Sequence, residues 1–234
     1  PCVEVKGIES DKYILSFDPS WAESESSDDF AMQVFKLNDD QEVGTMVHGY
    51  AVPGAKLKDH INYFHYLLTN FNIVGVVGDY NGGVQFINAA NESSLFKSSN
   101  IKIGTIEVDL CKPENYQSDL LTLKREYNIS SRNFCILRKP TSQWIRQANE
   151  LLQSNFDHKR IWFASRASGD KYSKQTRKKI PIEKLNFIYH DTYEEKQSSA
   201  AKMIDFVEHQ EDMINITKSQ CALIQITTST SSTQ

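Results

Sequence analysis

The sequence predicts an α/β fold in which a mixed β-sheet is covered by helices on both faces. Three strand-like segments open the chain, and the tight connection "NDDQ" joins the second to the third: Tyr13 to Phe17, Ala31 to Leu37 and Val43 to Val52. An amphipathic helical segment follows. After it, the nearly continuous β-branched run "NIVGVVGDY" is typical of a strand buried on both faces. This alternation of strands and helices indicates helices layered on a sheet.

The helix between the third and fourth strands spans Pro53 to Asn70. Pro53 and Gly54 mark its entry, and its apolar residues recur at helical spacing: Leu57, Ile61, Phe64, Leu67 and Leu68. The fourth strand ends at Asp79, where "NGG" predicts a turn before a short helix over Val84 to Lys97.

Further α/β elements are predicted before a C-terminal helix. A fifth strand covers Ile101 to Val108. The later elements are a helix near Gln117 to Tyr127, a strand at Phe134 to Leu137, a helix at Ser142 to Asn155, a strand at Arg160 to Ala164 and a final helix at about Ser199 to Ile226. One domain over residues 1–226 is expected. The polar tail 227–234 cannot bury apolar surface and is expected to be disordered.

Composition limits the classes of protein to consider. The chain has 234 residues, of which 39% are hydrophobic and 11% aromatic, enough for a full core. No apolar run approaches the roughly 20 residues that span a bilayer, and no leader precedes the first strand, so we expect an intracellular protein away from membranes. The four scattered cysteines form no zinc or disulfide pattern. The start at Pro1 favours a fragment of a longer chain, a processed protein being the alternative.

The charge is unevenly distributed along the chain. A net charge of −4 argues against a protein that coats nucleic acid over its whole surface. The segment from His158 to Pro181 nevertheless holds eight Lys or Arg residues and the single acid Asp170, whereas acids cluster at Glu23 to Asp29 and Asp205 to Asp212. Either the basic segment is a solvated loop, or it follows phosphates beside an acidic metal site.

Two acids mark a candidate site. Asp18 ends the first strand and Asp79 the fourth, and the order of elements places these strands side by side in the middle of the sheet. Adjacent carboxylates repel each other unless a cation neutralises them, and oxygen ligands without sulfur favour Mg²⁺ or Mn²⁺. For either acid alone, a turn or cap role is the alternative.

Three short motifs resemble the nuclease domain of the large terminases of tailed bacteriophages. "SFDPSW" with the following "SSDDFAMQVFKL" is similar to the first motif of that family, and "VVGDYNGGVQF" to the second. "HQEDMINITKSQCALIQI" fits the last motif, with Asp212 as its acid. The family usually has Glu where this chain has Asp79. No Walker A sequence occurs, so the ATPase motor of the family is absent from this chain.

The resemblance implies an RNase H-like fold with a five-stranded mixed sheet and a metal-dependent endonuclease acting on double-stranded DNA. In a two-metal site with Mg²⁺ or Mn²⁺, Asp18 would bridge both ions, while Asp79 would hold one and Asp212 the other. Second-rank ligands are Asp28, Asp29, Glu208 and Glu211. For Asp212 the alternative is a solvated acidic face at a helix N-terminus.

The same resemblance implies partners and a location. These are the ATPase domain of the full-length chain, the small terminase subunit and the portal protein, in the host cell cytoplasm, with the isolated domain as a monomer. The run of positive charge, rather than the resemblance, predicts a basic connecting segment at residues 156–198, whose DNA-binding residues would be Arg166, Lys171, Lys174, Arg177, Lys178 and Lys179. Two alternatives stay open: a dimeric Holliday-junction resolvase of the same fold, and a non-catalytic module that binds a partner protein.

Overall fold

A computed structural model gives the fold and describes residues 3–20, 30–37, 44–52, 56–107, 134–139, 141–164, 210–218 and 221. Residues 210–218 are helical and are called helix 210–218. The other elements, in chain order, are β1 (Lys12–Asp18), β2 (Phe30–Leu37), β3 (Gly44–Val52), α1 (Leu57–Asn70), β4 (Ile73–Asp79), α2 (Tyr80–Glu92), α3 (Ser94–Ser98), β5 (Gly104–Glu107), β6 (Phe134–Arg138), α4 (Ser142–Asp157) and β7 (Ile161–Phe163).

The strands form one mixed sheet in the order β5-β6-β4-β1-β2-β3-β7, with β1 at its centre. Strands β1, β2 and β3 pair antiparallel as a meander. The pairs β1–β4, β4–β6, β5–β6 and β3–β7 are parallel. The predicted mixed α/β architecture is confirmed.

The predicted number of five strands in the sheet is wrong, because the described residues contribute seven. Strand β6 pairs with both β4 and β5, and β7 adds three residue pairs to the edge of β3. The sequence marks both segments as strands, but their partners depend on long connections that local pattern does not specify. Cys135 and Leu137 on β6 are almost fully buried, as expected for a strand inside the sheet.

One face of the sheet, called the core face, packs against α1, α2 and α3. Along β1 the residues Tyr13, Leu15 and Phe17 are buried, and they alternate with less buried residues. The Phe17 ring centroid lies 5.8 Å from that of Phe64 on α1 and 5.2 Å from that of Phe86 on α2. Aromatic contacts therefore hold the helices to the centre of the sheet.

The other face of the sheet carries Ser16 and Asp18 and is called the Asp18 face. Helix 210–218 packs on it at β3, where a Cβ placed on Gly49 would lie 3.0 Å from Met213 Cβ. A glycine at this position lets the helix approach the strand closely. Helices thus cover both faces of the sheet, as predicted.

The helix that follows β4 differs from its predicted bounds. It was predicted over Val84 to Lys97, but α2 begins at Tyr80 and ends at Glu92. Ser93 is extended and caps the separate helix α3, since its side chain accepts a hydrogen bond from Phe96 N. The "NGG" turn survives as a kink inside α2, where Gly82 has a φ of 85°.

Several predicted elements lie outside the described residues. These are the helix near Gln117 to Tyr127, most of the basic segment 156–198 and the tail 227–234. The final helix predicted from Ser199 to Ile226 is described only in residues 210–218 and at 221. In the part of the chain that the structure describes, no helix has both the length and the apolar character needed to cross a membrane.

Candidate active site

Asp18 and Asp79 end two adjacent parallel strands at the centre of the sheet. The register of β1 and β4 pairs Phe17 with Gly78, so the two acids follow at the same edge. Because side chains alternate between faces, both belong to the Asp18 face, on strands roughly 4.8 Å apart. Asp18 is exposed and Asp79 half-buried. The predicted placement of these strands is confirmed, whereas a metal-binding role for their acids stays a prediction.

Asp79 also caps α2. Its Oδ1 accepts a hydrogen bond from Asn81 N at 3.0 Å. The positive φ of Gly82 turns the chain directly after this cap, in a backbone region that glycine enters without steric cost. A carboxylate offers about four lone-pair sites on two oxygens. Capping therefore leaves Asp79 with acceptor capacity for a cation.

A third charged residue stands in the same row. The register of β4 and β6 pairs Asp79 with Arg138, so the edge presents Asp18, Asp79 and Arg138 on three neighbouring parallel strands. The next residue, Lys139, places its ammonium 5.6 Å from the ring centroid of Tyr80, within cation–π range. Two acids and two cations thus share this edge.

A cavity of about 740 Å³ opens beside Asp18, between the sheet and helix 210–218. Small residues line its sheet side: Ser16, Ala31, Gly49 and Ala51. The helix side is formed by Met213, Ile216 and Thr217. Gln33 also lines the cavity, and its Nε2 donates to Thr217 Oγ1 at 3.4 Å, across the gap between sheet and helix. Asp18 is therefore accessible from a cavity that helix 210–218 borders.

Tyr50 lines the same cavity but is a poor candidate for a base. Burial, with a smaller effect from Asp59, raises the pKa of Tyr50, so its hydroxyl stays protonated at neutral pH. The Tyr50 hydroxyl lies 2.9 Å from His60 Nδ1, and its ring stacks on Tyr63 with centroids 4.1 Å apart. We assign Tyr50 a packing role.

The acids of helix 210–218 differ in exposure. Asp212 is exposed, whereas Glu211 is buried, with a relative exposure of 8%. Among the described residues, no three His, Cys, Asp or Glu side chains lie close enough together to hold a metal ion. The structure thus brings Asp18 and Asp79 to one edge without grouping Asp212 with them.

The remaining predicted site residues lie outside the described part of the chain, and their roles stay predictions. They are the second-rank ligands Asp28, Asp29 and Glu208, together with the DNA-binding residues Arg166, Lys171, Lys174, Arg177, Lys178 and Lys179.

Two further polar residues, Arg138 and Gln210, have surroundings in the fold that the sequence does not predict. Arg138 follows a short apolar run that was predicted as a strand, but its place beside Asp79 depends on the strand order. Gln210 precedes the acidic pair Glu211–Asp212 and is fully buried, which is unusual for glutamine. The local sequence pattern does not distinguish a buried glutamine at this position from a solvated one.

Comparison with known proteins gives a distant structural likeness. No protein-family model matches the chain, and no curated protein matches it. The chain is similar to the solved structure of the large terminase from a thermophilic bacteriophage, with a TM-score of 0.37 and 12% sequence identity. The similarity covers 70% of this chain and 31% of that one, so the chain spans less than a third of its length. The role of the edge is therefore inferred from its own residues.

Proposed function

We propose that this chain is a divalent-metal-dependent endonuclease that cleaves double-stranded DNA, as the RNase H-like nuclease part of a viral large terminase. The observation that carries the proposal is the pairing of β1 with β4, which sets Asp18 and Asp79 side by side at one edge. The order of the three sequence motifs supports the same reading. In a full-length terminase, this part would act beside an ATPase domain, a small subunit and a portal protein.

The residues at the edge suit Mg²⁺ or Mn²⁺. Carboxylate oxygens are the ligands these ions prefer, and Asp18 and Asp79 supply them from two neighbouring strands. Asp212, Glu211, Asp28, Asp29 and Glu208 are the residues from which the set would be completed. When bound, divalent ions lower the pKa of a water nucleophile and stabilise charge on the leaving oxygen.

The chain's own cations would hold the DNA. Arg138 is the register partner of Asp79, and a guanidinium there is suited to bind two oxygens of a phosphate group with two parallel hydrogen bonds. The basic segment, with Arg166, Lys171, Lys174, Arg177, Lys178 and Lys179, would extend this contact along the backbone. A chain with a net charge of −4 needs such a local concentration of cations to approach DNA.

Cleavage of plain plasmid DNA in saturating Mn²⁺ tests the proposal, with Asp18→Asn as the variant. The wild-type chain should convert supercoiled plasmid to nicked and linear forms, and Asp18→Asn should be inactive. A neutral amide would be a much weaker ligand for these ions than the carboxylate, whereas the fold should be kept or stabilised because one of two neighbouring negative charges is gone. Circular dichroism and the melting temperature confirm that the variant is folded.

The substrate separates this proposal from its alternatives. A terminase nuclease cuts ordinary duplex with little sequence preference, whereas a resolvase cuts a four-way junction and spares the plasmid. Wild-type protein that cuts only junctions, or an Asp18→Asn variant that retains full activity, would overturn the assignment.

A further inference from the structure

Gln210, the first described residue of helix 210–218, makes two hydrogen bonds that join three elements. Its Oε1 accepts from Gly49 N on β3 at 2.7 Å, and its Nε2 donates to the Tyr63 hydroxyl on α1 at 3.3 Å. The side chain is fully buried, and Tyr63 is 2% exposed. The helix that bears Glu211 and Asp212 is thus fastened to the sheet and to α1 by one carboxamide.

The pairing of β3 explains why Gly49 N needs a side-chain acceptor. Among the described residues, β7 pairs with β3 at Gly44, Thr45 and Met46, and Ala164 N donates to Met46 O at 2.9 Å. Beyond that point the edge of β3 continues to Val52. Gly49 N is a buried donor there, and leaving such a group unpaired is costly. Gln210 Oε1 supplies its acceptor.

The hydrogen-bond chain continues to His48, and its direction follows from chemistry. His48 Nδ1 lies 2.8 Å from Glu4 O, a carbonyl that only accepts, so this nitrogen carries the proton. In the neutral ring Nε2 then accepts, and the Tyr63 hydroxyl at 2.6 Å donates to it. The Tyr63 oxygen therefore keeps its lone pairs for Gln210 Nε2. Each of the four hydrogen bonds along this chain thus joins one donor to one acceptor.

We propose that Gln210 is a positioning residue for the carboxylates of helix 210–218, and this inference rests on the proposed metal-dependent nuclease. The helix borders the cavity beside Asp18. Gln210 is the first described residue of this helix, and Glu211 and Asp212 follow it directly in the same turn. A rotation or shift of this turn would displace Asp212 and Glu211 relative to Asp18 and Asp79, so the amide fixes where these acids stand.

Gln210→Met is the direct test, because it keeps side-chain length and volume while removing both hydrogen bonds. Partners that orient metal ligands typically change metal affinity by 10- to 100-fold when removed. We expect the Mn²⁺ concentration that gives half of the full rise in melting temperature to increase roughly 10-fold. Exchange of the Gly49 amide, followed by NMR, should also accelerate. Tyr63→Phe, which removes only the hydroxyl, should shift the Mn²⁺ midpoint in the same direction.

Asn91→Leu is the matched control. Asn91 on α2 is a second carboxamide that makes two bonds, accepting from Ile103 N at 2.9 Å and donating to Ile103 O at 2.8 Å. Its loss should lower the melting temperature and leave the Mn²⁺ midpoint unchanged. If Gln210→Met and Tyr63→Phe both keep the wild-type Mn²⁺ midpoint, the positioning role of Gln210 is contradicted, and the proposed metal site is not affected. A wild-type chain with no Mn²⁺ response would overturn the proposed metal site and, with it, this inference.

Discussion

At the residue scale, the positions of Asp18 and Asp79 depend on the residues that precede them, Phe17 and Gly78. Phe17 and Gly78 are register partners, and the Phe17 ring lies directly over the Gly78 backbone, where a Cβ would collide with it. Because Asp18 and Asp79 follow at the next positions, the contact between ring and backbone sets how closely β1 and β4 approach at the edge. The glycine is required by space, since a larger residue would push the ring out of its place among Phe64 and Phe86.

Gly78→Ala should therefore destabilise the protein, by about 1–3 kcal/mol, the usual cost of forcing extra volume into a packed core. Gly75→Ala on the same strand is the control. Nothing lies within 4 Å of its added Cβ, and the substitution should leave stability unchanged or raise it by up to about 1 kcal/mol through the unfolded chain. Urea denaturation measures both. Equal stabilities for the two variants would contradict the close contact of Phe17 with Gly78.

His65 on α1 gives a pH-dependent contribution to stability. Burial lowers the pKa of His65 below its ordinary value, and the ring packs edge-on against Phe96 while Nε2 lies 2.8 Å from Ser99 Oγ. The unfolded chain therefore binds the proton more readily than the folded one. This stability is present above about pH 6.5 and is lost as the pH falls below it. His65→Gln should reduce the fall in melting temperature between about pH 7.5 and pH 5. An unchanged pH dependence of the melting temperature would show that His65 is not its cause.

Some site residues were predictable from sequence, and others were not, for a physical reason. Asp18 and Asp79 each end an apolar run, so local pattern locates them. Arg138 and Gln210 acquire their roles through contacts across the fold, with Asp79 on a neighbouring strand and with Gly49 and Tyr63 more than 140 residues away. The sequence allows a cap role for Asp79, and the structure shows that its side chain caps α2. The local sequence identifies residues with suitable chemistry, and the packing of strands and helices determines which of them lie close together.

At the element scale, strand identity was more predictable than strand order. Alternating burial along β1 and β2 produces the period-2 pattern that marks them as strands. By contrast, β6 inserts between β4 and β5 although it follows both in the chain. Its Cys135 and Leu137 are buried against neighbours that a short apolar run does not identify. The edge with Asp18, Asp79 and Arg138 exists because of this insertion.

The basic segment should act as an element that follows DNA phosphates. Each Lys or Arg that contacts a phosphate steepens the log–log salt dependence of duplex binding by roughly 0.9. Neutralising Lys174, Arg177, Lys178 and Lys179 together should weaken binding equally across sequences and flatten that slope. Binding is measured in Ca²⁺, which occupies oxygen sites and generally does not support this cleavage.

Lys97→Ala and Lys139→Ala provide the comparison for that experiment, because both residues are exposed in the described part of the chain. Unchanged affinity and slope in the quadruple variant would show that the basic segment is a solvated loop. A large effect of Lys139→Ala alone would instead place the DNA path over the sheet edge, where Lys139 lies beside Tyr80.

At the scale of the whole molecule, charge links the carboxylates of the candidate site to the stability of the folded chain. The net charge of −4 adds self-repulsion to the compact state. At the strand ends, Asp18 and Asp79 lie on adjacent strands, with Arg138 as the register partner of Asp79. A cation that binds these carboxylates only in the native chain would stabilise the whole fold by mass action. Thermal stability therefore reports on the metal site without any DNA present.

Mn²⁺ at about 100 times its dissociation constant should stabilise the wild-type chain by about 2.7 kcal/mol, or roughly 5–10 °C in melting temperature. Asp79→Asn combined with Asp212→Asn should abolish this rise, since amides bind these ions weakly, while Asn at position 79 can still cap α2. Glu150→Gln with Asp157→Asn removes the same charge from exposed positions on α4 and should retain the full rise. Differential scanning fluorimetry at a series of Mn²⁺ concentrations gives all three curves. An equal rise in the wild type and in the Asp79, Asp212 double variant would mean that the ions bind elsewhere.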